Sequence, residues 1–180
     1  MIVAEKNANV FEASEELLFV PISVGDYHKP TSGFAMAVEE AFPTAAIWLQ
    51  DRLLYNPLRL GEVHTFEGGR GWLPAYALMF AGVHAPGERG WEEAPAAVEI
   101  ALYQAPAKRL GRTARIAVAG IPGTGFSGIK GNADPDAIRA ALIRSDRDVV
   151  VYHHNTSGDR EPRSLVTTPP AGRVAVPLAY

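Results

Sequence analysis

Apolar runs the length of a strand alternate along this chain with helix-length stretches. That alternation restricts the fold more than any other feature. Leu17–Val24 (LLFVPISV), Arg115–Gly120 (RIAVAG) and Asp148–Tyr152 (DVVVY) are short, continuous and apolar. Such runs have the character of strands buried on both faces. Pro21 is awkward inside the first, because it removes a ladder donor. Met1–Glu5, Glu62–Glu67, Ala75–Phe80 and Arg173–Leu178 are further strand candidates. Ser32–Phe42 reads as a helix, ended or kinked by Pro43, with Thr44–Leu54 as a second helical stretch. Glu93–Leu110 reads as another, with Pro106 kinking its last turn. Asp134–Arg144 is the best-signalled helix: Asp134 suits the N-cap and Pro135 the first helical position. His153–Gly172 reads as a polar loop. The expected fold is a three-layer α/β/α sandwich around a mixed, mostly parallel sheet.

Ligands in such sheets bind beyond the carboxyl ends of the strands, on loops that lead into helices. Two glycine-containing loops occupy such places. Gly120–Gly131 (GIPGTGFSGIKG) holds five glycines in twelve residues, between a strand and a helix. Gly123, Gly125 and Gly128 form a literal G-x-G-x-x-G, with Thr124, Phe126 and Ser127 between them. Glycine allows positive φ and close backbone approach, so successive N–H groups can form an anion-binding nest. No Gly-Lys-Ser/Thr follows, so this is not a P-loop. A dinucleotide fingerprint belongs at the first βα turn, whereas this loop starts at residue 120. A Rossmann-type nucleotide enzyme is therefore the third reading of the chain. The other loop, Gly25–Gly33 (GDYHKPTSG), opens the first long helix. Ser32 and Gly33 would offer free N–H groups there, with His28 and Lys29 as added donors. Phe126 is placed to flank a ribose or adenine face.

Composition removes several classes. Seventeen Lys+Arg against twenty Asp+Glu give a net charge of -3, and the pI is 5.9. General nucleic-acid binding calls for a basic surface, so none is expected. No apolar run reaches the roughly 20 residues that span a bilayer, and no membrane partner is expected. The acidic opening segment, with Glu5, Glu12, Glu15 and Glu16, lacks the basic region of a secretory signal. A cytoplasmic location is expected. Cysteine is absent, which removes disulfides, thiolate catalysis and Cys-ligated zinc. His153 and His154 are adjacent, and neighbours on a strand point to opposite faces, so no metal site is expected. No G-x-S-x-G elbow occurs.

The order of motifs resembles that of a macro domain, the family that binds ADP-ribose. Asn9-Val10-Phe11 before Leu17–Val24 is similar to the family's first turn and central strand. Ser32-Gly33-Phe34-Ala35-Met36-Ala37-Val38, followed by Ala41-Phe42-Pro43, is similar to its first glycine loop and helix. Leu60-Gly61 precedes a strand, and Pro122–Gly128 is similar to the second phosphate loop. The resemblance covers roughly residues 1–152. It implies a domain over residues 1–154, with 155–180 as a C-terminal extension. It also implies a site for ADP-ribose, or an ADP-ribosylated macromolecule, with no cofactor. Asn9 would meet the adenine edge, with Val10 beside it as a further ligand-binding residue. Ser32, Gly33 and Phe34 would clamp the diphosphate from one side, and Gly123, Thr124, Gly125, Phe126, Ser127 and Gly128 from the other.

The resemblance breaks at the catalytic positions. Family hydrolases place an Asn at the end of the first central strand, where this chain has Pro21-Ile22-Ser23-Val24. Others place a Lys after a later strand, where Met79-Phe80-Ala81-Gly82-Val83-His84 stands. Some place an acid after the second loop, where Ile129-Lys130-Gly131 stands. Asp26 and His84 are the candidate substitutes. The expected function is ADP-ribose binding. The alternative is an ADP-ribosyl hydrolase or ADP-ribose-1″-phosphatase on the same scaffold.

Overall fold

A computed structural model of the chain describes residues 3–25, 33–68, 76–87, 89–109, 111–122 and 133–153. In chain order the elements are β1 (Val3–Asn7), a 3-10 turn (Val10–Glu12), β2 (Leu17–Ser23), α1 (Gly33–Ala41), α2 (Pro43–Tyr55), β3 (Val63–Glu67), β4 (Ala77–His84), α3 (Ala94–Tyr103), β5 (Lys108–Arg109), β6 (Arg112–Thr113), β7 (Arg115–Ala119), α4 (Pro135–Arg144) and β8 (Asp148–His153). Six strands form one sheet in the order β1-β8-β7-β2-β4-β3. All neighbours run parallel except the edge strand β3, which is antiparallel to β4. That order is not the 3-2-1-4-5-6 of a dinucleotide-binding sheet.

The two faces of the sheet follow from the two-residue period of a strand. Leu17 and Phe19 of β2, Met79 and Val83 of β4, Ile116 and Val118 of β7, and Val149 and Val151 of β8 face one way. They pack on Val98 and Leu102 of α3 and on Ile138 and Leu142 of α4. The alternating residues Leu18, Val20, Ile22, Leu78, Phe80, Ala117, Ala119 and Tyr152 face the other way. They meet Val38 of α1, Leu49 of α2 and Phe11 of the 3-10 turn. β2 is apolar on both faces because both faces are covered. Burying each of its large side chains stabilises the fold by about 1.5–3 kcal/mol.

Several boundaries differ from those the sequence predicts. The helix expected over Glu93–Leu110 ends at Tyr103. Pro106 cannot continue it, and Lys108–Arg109 turns instead into a two-stranded hairpin with Arg112–Thr113. The strand expected to end at Phe80 runs on to His84, because β2 supplies a partner as far as Ser23. His153 belongs to β8 rather than to a loop, paired with Asn7. Pro43 does separate two helices, standing at the first turn of α2. Asp134 caps α4 as expected, its side chain accepting from the Asp136 N–H at 3.0 Å. Among the described residues, no helix is long and apolar enough to cross a membrane. The candidate strand 173–178 lies outside the described residues.

Among the described residues, one acidic side chain is wholly inside. Glu15 has no exposed surface and lies on the crossover from the 3-10 turn to β2. Its Oε2 accepts from the Tyr152 hydroxyl at 2.5 Å, and its Oε1 stands 3.7 Å from the Lys6 ammonium. Burial, and then the bond to Glu15, push the Tyr152 hydroxyl well above its ordinary pKa, so it stays a donor. The pair ties the crossover to β8 across the face that carries α1. Tyr152→Phe should therefore leave a buried carboxylate short of its donor and cost about 1–3 kcal/mol. Urea unfolding of the variant beside the parent measures it. An unchanged midpoint would mean that the crossover does not depend on this bond.

Candidate functional site

The site begins where two central strands part. β2 and β7 pair only from Leu17–Ile116 to Phe19–Val118. Beyond that, each is held by its outer neighbour. The Val24 N–H donates to the His84 carbonyl of β4 at 2.8 Å, and the Gly120 N–H donates to the Tyr152 carbonyl of β8 at 2.8 Å. Pro21 lies past the last β2–β7 pairing, so the ladder with β7 loses nothing to it. A crevice therefore opens between β2 and β7 at their carboxyl ends. From its two sides the chain leaves to opposite faces of the sheet: β2 leads to α1, and β7 leads to α4 on the far side. Such a switch in direction is where open α/β sheets bind ligands. Both exits turn through a left-handed glycine, Gly25 at φ +91° and Gly120 at φ +61°, a conformation costly for side-chain-bearing residues.

One wall of the crevice is built by the 3-10 turn and α1. Asn9 caps the turn, its Oδ1 accepting from the Phe11 N–H at 3.0 Å. Val10 and Phe11 are core residues, 7% and 2% exposed. The Phe11 ring lies 5.9 Å from that of Phe34, in the first turn of α1. Of the residues singled out in the sequence, Asn9 and Val10 adjoin Phe11, and Gly33 and Phe34 open α1, where the Phe34 ring meets that of Phe11. Asp26, Ser32, Gly123, Thr124, Gly125, Phe126, Ser127 and Gly128 lie outside the described residues. They belong to the segments that join Gly25 to α1 and Pro122 to α4.

His84 stands at the carboxyl end of β4, opposite Ser23 of β2. Its Nδ1 is 3.0 Å from the Ser23 hydroxyl. Its ring packs against Trp91 with centroids 4.4 Å apart. Burial among these groups holds its pKa below the ordinary 6.5. The next turn closes tightly over the imidazole. A Cβ on Gly90 would fall 1.8 Å from the Ala85 carbonyl oxygen and 2.7 Å from His84 Nε2. The Ser23–His84 contact is one that the sequence does not announce, because the two residues are 61 positions apart.

His153, at the end of β8, bonds through Nε2 to Glu5 of β1 at 2.9 Å, and Glu5 also pairs with Arg139 of α4 at 3.1 Å. The acidic partner not visible beside His153 in the sequence is thus supplied by the neighbouring strand. The Glu5 carboxyl is held below its usual range, first by the His153 bond and then by Arg139. Among the described residues, no three metal-ligating side chains gather.

The layers and strand order make a three-layer α/β/α domain with a switch in direction at the centre of its sheet. Comparison with solved structures defines it further: the fold is that of a macrodomain. The macrodomain of Mycobacterium tuberculosis DarG superposes with a TM-score of 0.64 at 18% identity, over 84% of this chain and 97% of that one. Thermosipho africanus DarTG in complex with ADP-ribose gives 0.59 at 16% identity, over 84% of this chain and 41% of that one. An Oceanobacillus iheyensis macrodomain mutant with ADP-ribose gives 0.57 at 15% identity, over 86% and 84%. No protein-family profile matches the chain, and no curated protein does. The resemblance read from the order of motifs therefore holds at the level of the fold.

The environment of His84 has a measurable consequence. The folded state resists its protonation, so the imidazole should titrate below 6.5 when followed by NMR. The stability this contributes is present above the unfolded pKa and declines as pH falls through the folded one. Gly90→Ala, by forcing the turn off the ring, should move the midpoint back toward 6.5. A parent midpoint at or above 6.5 would mean that the ring is not enclosed.

Proposed function

We propose that the crevice between β2 and β7 binds ADP-ribose, free or as the terminal unit on a modified macromolecule. The observation that carries this reading is the pair of glycine exits. Two adjacent parallel strands release the chain through Gly25 and Gly120 into glycine-containing segments at one mouth. A diphosphate needs many N–H donors at close range, and glycine-rich turns leading into helices provide them. The N-terminus of α1 at Gly33, and the segment Gly123–Gly128 ahead of α4, would hold the two phosphates from opposite sides. The adenine would lie toward the 3-10 turn, where the Asn9 amide can donate and Phe34 offers an apolar face. Solved neighbours of the same fold from T. africanus and O. iheyensis carry ADP-ribose, which supports the choice of ligand.

Calorimetric titration with ADP-ribose, NAD and AMP in parallel is the direct test. ADP-ribose should bind at micromolar concentration, and AMP much more weakly. Gly125→Glu should abolish binding in a folded protein, by placing a bulky anion where the diphosphate lies. Gly33→Glu should weaken binding by roughly 1–2 kcal/mol through the helix-terminus field and steric exclusion. Unchanged affinity in both variants would remove the two segments from the site. Asn9→Ala should cost about 1 kcal/mol or more for ADP-ribose and little for ribose-5-phosphate. Equal losses for the two ligands would show that Asn9 acts through its cap on the 3-10 turn.

A further inference from the structure

The 3-10 turn that follows Asn9 stands on two feet, and both rest on the last two residues of β8. At the near foot the Ala8 N–H donates to the His153 carbonyl at 3.1 Å. At the far foot the buried Glu15 carboxylate accepts from the Tyr152 hydroxyl at 2.5 Å. Among the described residues, Glu15 Oε1 has no hydrogen-bond donor, and the Lys6 ammonium stands 3.7 Å from it. The same ammonium lies 5.6 Å from the centre of the Tyr152 ring. Between the feet, Val10, Phe11 and Ala13 are buried in one apolar cluster with Tyr152. Apolar burial is non-directional, so it presses the turn onto the sheet without fixing where on the sheet it lies. A hydrogen bond has a preferred distance and angle, and the two feet supply them. Tyr152 also reaches the exit of β7, where its carbonyl accepts from the Gly120 N–H at 2.8 Å.

We propose that Tyr152 is a positioning residue for the adenine end of the site. Its carbonyl holds the Gly120 exit, and its hydroxyl, through Glu15, holds the turn that Asn9 caps. One residue of β8 therefore sets the span between the two. A ligand that reaches from the exit to the turn depends on that span, and a ligand that stops at the exit does not. ADP-ribose is of the first kind and ribose-5-phosphate of the second. The proposal rests on the ADP-ribose reading for the ligand alone, because the tie between β8 and the turn belongs to the free protein.

Three variants of the 180-residue chain test it. Tyr152→Phe removes the hydroxyl and keeps the ring and the carbonyl. Glu15→Met removes the acceptor and leaves no charge buried, a replacement that folds tolerate well, so it decides the matter if Tyr152→Phe does not fold. Glu15→Gln keeps an acceptor oxygen and is the conservative control. Amide hydrogen exchange is measured on the free proteins, and calorimetry with ADP-ribose and ribose-5-phosphate on the same preparations. The Phe11 N–H is held by Asn9 Oδ1 at 3.0 Å. In Tyr152→Phe and Glu15→Met it should exchange about tenfold faster relative to the amides of β4, the sign of a local opening. Affinity for ADP-ribose should fall about 3- to 10-fold, the worth of one hydrogen bond, and that for ribose-5-phosphate should stay within about twofold. Adding Asn9→Ala to either variant should cost little more than one change alone, because both act through one turn. Glu15→Gln should match the parent in both measurements. Equal acceleration of Phe11 and the β4 amides, equal losses for the two ligands, additive losses with Asn9→Ala, or a loss in Glu15→Gln as large as in Glu15→Met overturns the proposal. If the parent does not bind ADP-ribose while Phe11 exchange rises as expected, the positioning of the turn stands and the choice of ligand falls.

Discussion

The parting of β2 from β7 is the constraint on which the rest of the site depends. A parallel ladder gains little by running on once each strand has a better partner outside. Past Phe19 and Val118, the backbone donors turn outward, β2 to β4 and β7 to β8. The backbone groups are satisfied at both ends, yet a gap is left in the middle of the sheet. The two glycine exits on which the proposed ligand site rests lie at that gap. Of the helices that cover the two faces, α1 is the next after β2 and α4 the next after β7, one on each face. The glycines at +91° and +61° let the chain turn away without crowding the mouth.

The gap is held open by the layers on either side. Nearly all the central strand residues are buried, on alternating faces. That burial supplies the driving force, since it is proportional to the apolar area removed from water. The polar exceptions act as fasteners. Glu15 takes a hydroxyl from Tyr152 and stands near Lys6, holding the crossover against the sheet. Breaking such a pair costs more than the pair contributes, because the carboxylate left behind is desolvated. Glu5 does the same at the surface, linking β8 to α4 through His153 and Arg139. As that carboxyl's folded pKa is lowered, its contribution is present at neutral pH and fades as pH falls toward that value.

The paired ends of β2 and β4 show how a fold and its chemistry separate. The fold is that of a macrodomain, and architecture alone does not fix what chemistry a chain performs. The positions where the sequence departs from the family's hydrolases include the end of β2, where Ser23 now stands. Its hydroxyl is paired with the imidazole of His84 on the adjacent strand, and that ring packs on Trp91.

The sequence by itself determined the layers. The continuous apolar runs of β2, β7 and β8, the Asp134-Pro135 start of α4 and the break at Pro43 are local signals. They fix local structure through burial, capping and the missing proline N–H. The turn and glycine-loop motifs set between them, taken in order, resemble those of a macro domain. Tertiary structure decided the rest, because it depends on contacts between distant residues. The end of β4 at His84 rather than Phe80 follows from β2 lying beside it. The end of α3 at Tyr103 follows from a hairpin that forms beyond it. The antiparallel edge β3, the Glu15–Tyr152 bond across 137 positions and the Ser23–His84 pair across 61 have no signature in any window of sequence. A hydrogen bond is set by where two backbones arrive, and that is known only once the sheet order is.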